Sequence, residues 1–118
     1  MRDLAPDIVR QRQLIEGYFT VEVDEVVIRD YFARLTEALG LRTYDETVIF
    51  APAGAGRTEN EGYDAFVPLI DSGISLYVWS GPKFLSVVIF TCKTFDASVA
   101  NEVTRDFFGI AELEFREF

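Results

Sequence analysis

The sequence predicts an α+β two-layer sandwich, an antiparallel β-sheet with two helices on one face. Three observations carry this prediction. The strand-like segments between residues 64 and 92 follow one another through links of a few residues, and such links join antiparallel neighbours. Two segments with helical spacing each open on an aspartate and close on a glycine. The other apolar segments are short and rich in β-branched and aromatic residues, and a sheet of that kind needs helices laid against it.

Taken in order, residues 1–11 read as a polar lead-in, and Arg12 to Thr20 as a strand. Leu14, Tyr18 and Thr20 share one face of it, Ile15 and Phe19 the other. Asp24 suits a helix N-cap, because its carboxylate accepts the unpaired amide hydrogens of the first turn. Val27, Tyr31, Leu35 and Ala38 then recur at helical spacing, and Gly40 supplies a left-handed exit. A second strand is predicted over Arg42 to Phe50 and a wet loop over Ala51 to Gly62. That loop has glycines but no lysine and no helix directly behind it, so it reads as a surface connection and not a phosphate cradle. Strands follow over Asp64–Ile70 and Ile74–Trp79, then a turn at Ser80-Gly81-Pro82 and a strand over Phe84–Cys92. Asp96 caps a second helix carrying Val99, Val103 and Phe107, which stops at Gly109. Leu113 and Phe115 alternate with Glu112, Glu114 and Arg116 in a final edge strand. The order is β-α-β-β-β-β-α-β. Phe84–Phe90 is apolar on both faces, so the side of the sheet away from the helices also calls for cover, which a second copy of the sheet would supply.

The chain of 118 residues fits one domain over 1–118, and a hydrophobic fraction of 49% is enough for it to fold. So many aromatics around a modest core suit a homodimer. The net charge is −9 with no histidine, a field that repels nucleic acid and anionic lipid and attracts a small cation. No run is long enough to span a bilayer, and Met1–Asp7 lacks the apolar segment of a signal peptide. A single cysteine excludes an intrachain disulfide and suits a reducing cytoplasm. One thiol without histidine makes a structural metal site an unsuitable reading.

Chemistry concentrates at Asp71-Ser72-Gly73, where one strand ends and the next begins. If the turn at 80–83 joins strands 74–79 and 84–92, a residue near 71 lies opposite Cys92. Hairpin geometry alone therefore sets the thiol beside Ser72. Taken one at a time, these residues have plainer readings. Ser72 is a turn serine, Cys92 a small buried hydrophobe, Phe50, Tyr77 and Trp79 core aromatics, and Asp64 and Asp71 solvated strand ends.

Together, Ser72, the Ile74-Ser75-Leu76 strand after it, Trp79, and Phe90-Thr91-Cys92 twenty residues beyond the serine resemble the bacterial and archaeal S-adenosylmethionine decarboxylase family. Phe50-Ala51-Pro52 resembles its Phe-x-Pro. The resemblance covers about residues 12–118 and implies a sandwich whose sheets stack in an α/β/β/α dimer. It implies backbone cleavage between Asp71 and Ser72, with Ser72 becoming a pyruvoyl group that accepts electrons during decarboxylation, and Cys92 donating the proton. It places Phe50, Ile74, Trp79 and Asp71 against the substrate, Phe50 as the ring that stacks on adenine. Such an enzyme would serve polyamine and spermidine synthesis.

The chain also departs from the family. Gly73 stands where the family has a histidine after the cleavage serine, Tyr77 where it has a processing histidine, and Asp64 where it has a processing serine. Trp79-Ser80-Gly81 replaces Trp-Pro-Glu, which removes the carboxylate that holds the ribose hydroxyls. A tyrosine titrates near pH 10, so Tyr77 suits a hydrogen-bond donor better than a base, and Asp64 becomes the base if burial raises its pKa. The lost carboxylate shifts the expected substrate from S-adenosylmethionine toward a smaller basic amino acid, ornithine or arginine, its distal cation paired with Glu61, Asp64 or Asp71. The alternative expectation is a non-processing homologue, a pseudoenzyme that binds or regulates a partner.

Overall fold

The computed structural model describes residues 1–51 and 61–118. Its elements run β1 (Gln11–Tyr18), α1 (Glu25–Leu39), β2 (Val48–Phe50), β3 (Gly62–Leu69), β4 (Ser72–Trp79), β5 (Phe84–Thr91), α2 (Ala97–Phe108) and β6 (Leu113–Glu117). The order of helices and strands is the predicted one. The six strands form one sheet in the order β2-β3-β4-β5-β1-β6, each neighbouring pair antiparallel.

The caps predicted for both helices are present. Asp24 accepts the Val27 amide at 2.9 Å, and α1 leaves through Gly40 at φ 68. Asp96 accepts the amides of Ser98 and Val99, and α2 leaves through Gly109 at φ 63. The Ser98 hydroxyl, with those two amides, holds the Asp96 carboxyl below its usual range. Tyr31 ties the helices together. Its ring packs on Phe108 at 4.6 Å between centroids, and its hydroxyl meets Thr104 Oγ1 at 2.7 Å. Burial pushes this hydroxyl's pKa up, against the smaller opposing effect of the Thr104 hydrogen bond.

The strands sort their side chains by parity. Ile15, Ile74, Leu76, Leu85, Val87 and Ile89 point into the core with Ile28, Leu35 and Phe108 of the helices. The alternate residues stand on the other face, where Tyr18, Phe50, Phe66, Tyr77 and Phe90 are exposed. The second predicted strand is cut short. Of Arg42 to Phe50 only Val48–Phe50 is extended, with a lone bridge from Thr43 to Leu69. Between them Asp45 takes φ 60, and Thr43 Oγ1 accepts its amide at 3.1 Å, a local side-chain turn that competes with the ladder. Most of the predicted loop over 51–62, residues 52–60 with Pro52, Gly54 and Gly56, lies outside the described residues.

Candidate functional site

The β3–β4 link consists of Ile70 and Asp71, because Leu69 pairs with Ser72. On the other side of β4, Gly73 pairs with Phe90, and two more steps of that register set Asp71 opposite Cys92. Ser72 and Cys92 thus come together as the hairpin arithmetic requires. The Cys92 amide donates to Ser72 Oγ at 2.9 Å. Asp71 is held at φ 58, a left-handed conformation that disfavours a side chain, directly before the peptide bond to Ser72. Cys92 is a free, exposed thiol and not the buried hydrophobe of the plain reading. Among the described residues no side chain accepts a hydrogen bond from Ser72 Oγ.

Two clefts flank this turn. One, of about 260 Å³, lies where the chain leaves α1 and is lined by Arg42, Asp71, Ser72, Cys92 and Lys93 among others. The second, about 340 Å³, opens on the uncovered sheet face between Phe66, Ser72, Val88 and Phe90. It shares Phe66 and Ser75 with a third, about 250 Å³, that reaches Phe50, Asp64 and Tyr77. The two open-face clefts therefore form one shallow groove running from the turn to Phe50.

The other sequence candidates fall elsewhere. Tyr77 pairs with Asp64 across β3 and β4, and Asp64 with Phe50 across β2 and β3. This trio stands together on the open face, and Asp64 is exposed there. It does not reach Ser72 within the protomer. Tyr77 lies five positions along β4, roughly 16 Å at the rise of a strand, and an odd offset puts it on the opposite face. Ile74, expected against substrate, is wholly buried, because it shares the helix-covered face with Leu76 and Val78. Trp79 packs on Phe84 at 5.5 Å between centroids, at the far end of β4 from Ser72.

Two features escaped the sequence reading. Arg42 and Lys93 border the turn, although neither is near Ser72 along the chain. Phe66 fills the space beside Gly73, where an added Cβ would lie 2.5 Å from the ring. The glycine at 73 thus accommodates a neighbouring aromatic. Only the diagonal contact across β3 and β4, set by register, signals that relation.

Comparison with known proteins agrees with this architecture. The sequence model of the family described as S-adenosylmethionine decarboxylase matches residues 13–118. No curated protein matches the chain by sequence. Among solved structures, the adenosylmethionine decarboxylase from Aquifex aeolicus VF5 superposes with a TM-score of 0.70 at 16% identity, over 94% of this chain and 89% of that one. At that identity the superposition speaks for the fold alone.

Proposed function

The chain belongs to the S-adenosylmethionine decarboxylase family, and on that premise we propose that it is a self-processing, pyruvoyl-dependent decarboxylase of a small cationic amino acid. The observation that carries this reading is the Asp71-Ser72-Cys92 arrangement. A left-handed residue precedes the candidate scissile bond, and the serine oxygen stands 2.9 Å from the amide of the cysteine residue. These residues fit a pyruvoyl group made from Ser72, because the hydroxyl that must attack the Asp71 carbonyl is already fixed at the turn. Such a group supplies an electron sink for the loss of carbon dioxide.

The chain's own residues have separate tasks in this reading. Ser72 is the nucleophile toward Asp71, and the Cys92 thiol donates a proton to the decarboxylated carbon. The open-face groove takes the substrate. At its far end Asp64 stands with the rings of Phe50 and Tyr77, where carboxylate and aromatic faces both favour positive charge. S-adenosylmethionine is long enough to run from the turn to Phe50. Ornithine or arginine would stop nearer Phe66 and Ser75, and the missing ribose carboxylate favours these shorter substrates. A second copy stacked on the open face would roof the groove and make the protein a homodimer. Asp64 and Tyr77 would then act on the substrate and not on Ser72 of their own chain.

A second reading is a non-processing homologue that binds a partner. It is favoured by one specific observation, that no described side chain accepts the Ser72 hydroxyl proton in a chain without histidine.

Intact mass under denaturing conditions, with Ser72→Ala as control, separates the two. The enzyme reading expects fragments 1–71 and 72–118, the latter blocked by pyruvoyl and absent from the control, followed by carbon dioxide release from ornithine, arginine or S-adenosylmethionine. A single unbroken chain, stable over days, would sink it.

A further inference from the structure

We infer that Arg42 and Lys93 stabilise the carboxylate that departs from Asp71 during self-cleavage, an inference that rests on the self-processing reading above. Both residues line the cleft that also holds Asp71, Ser72 and Cys92. They arrive on two separate arms. Arg42 is placed through its backbone, its carbonyl accepting the Ile70 amide at 3.3 Å while Thr43 bridges to Leu69. Lys93 directly follows Cys92, and its ammonium donates to the Gly40 carbonyl at 2.8 Å with further N–H donors to spare. Neither makes an ion pair among the described residues, in a chain with 20 acidic against 11 basic side chains.

The chemistry explains why cations belong there. Ser72 Oγ attacks the Asp71 carbonyl carbon, the C–N bond breaks, and the nitrogen takes the hydroxyl proton, leaving an ester. A base then removes the Ser72 α-hydrogen. The freed electron pair forms the Cα=Cβ bond, the Cβ–Oγ bond breaks, and the Asp71 α-carboxylate leaves with that bond's electrons. Water then releases ammonia from the new terminus. The second step creates a negative charge on a residue whose side chain is already a carboxylate, within a chain of net charge −9. Uncompensated, that crowding opposes departure, and two cations in the same cleft offset it. Among the described residues the open-face groove carries no such cations, so the two sides of the turn divide the work, with substrate on one and leaving group on the other.

The test follows the Arg42→Gln/Lys93→Gln variant by intact mass over time, with and without hydroxylamine, a nucleophile that cuts esters but spares peptide bonds. The expected result is pyruvoyl fragment appearing about ten- to a hundredfold more slowly, while full-length chain becomes hydroxylamine-cleavable between Asp71 and Ser72. Arg42→Lys, which keeps the charge, restores the rate. Arg42→Gln alone serves if losing the Lys93–Gly40 bond unfolds the double variant, since the backbone holds position 42. Fragment formation at the wild-type rate overturns the inference and leaves the enzyme reading standing. A stall without any hydroxylamine-sensitive ester overturns it too, because the block would then precede elimination. A wild-type chain that neither cleaves nor forms the ester ends both.

Discussion

The two faces of the sheet are built from the same strands and do not behave alike. On β5, Leu85, Val87 and Ile89 are fully buried beneath the helices, while Phe90 on the other face is 39% exposed. On β4, Leu76 is sealed and its neighbour Tyr77 is not. Residue type does not separate the faces, since both are apolar, and the open one carries the larger rings. Coverage separates them. The helices bury one face, and on the other Phe50, Phe66, Tyr77 and Phe90 surround a polar row in which Ser86 donates to Glu16 at 2.9 Å and Asp64 stands opposite Tyr77. Exposed aromatics in such number are a mark of association surfaces, and the polar row lies where the proposed second sheet would roof a charged ligand.

Substitutions matched across the sheet put this contrast at risk. Leu76→Ala on the covered face is expected to lower stability by about 2–5 kcal/mol in urea unfolding. Val88→Ala on the open face is expected to cost under about 1 kcal/mol in dilute protein. Equal losses would mean that the open face is already covered in solution. Phe66→Asp sharpens the point. It should leave the circular dichroism spectrum unchanged and weaken self-association about thirtyfold in sedimentation, the loss of one central aromatic anchor. An unaltered sedimentation profile would remove the stacked dimer. The smallest effect lies within the covered layer. Tyr31→Phe removes the hydroxyl paired with Thr104 and should cost about 1 kcal/mol. Its pH signature has a definite sign. The folded-state pKa of Tyr31 is raised, so its contribution is complete below the unfolded value near pH 10 and fades as pH rises toward the folded one. Urea midpoints measured between about pH 9 and 11 should fall less steeply in Tyr31→Phe than in the wild type.

Much of the fold was legible because its signals are local. Asp24, Gly40, Asp96 and Gly109 mark helix ends through capping chemistry that depends on a few residues each, and all four occupy the predicted places. The meeting of Ser72 and Cys92 was also legible, because a single hairpin separates them and its register can be counted. What went unread depends on parity or on partners distant along the chain. The sequence sets Tyr77 and Ile74 within a few residues of Ser72, but a strand sends alternate residues to opposite faces, so one motif is divided between core and groove. Arg42 reaches the turn only because Thr43 bridges to Leu69, a contact that the local pattern of 42–50 gives no reason to expect. The break of that segment at Asp45 likewise comes from a side-chain hydrogen bond that competes with strand pairing.

The Phe66–Gly73 contact carries a consequence for substitution at the turn. With the ring 2.5 Å from where a Cβ at position 73 would stand, a side chain there requires the ring to move. In a lone protomer Phe66, 41% exposed, can swing into solvent, but beneath a second sheet that exit is closed. A histidine introduced at 73 would therefore need a smaller residue at 66 to fit beneath such a second sheet, so the two positions are coupled and their substitutions should not add.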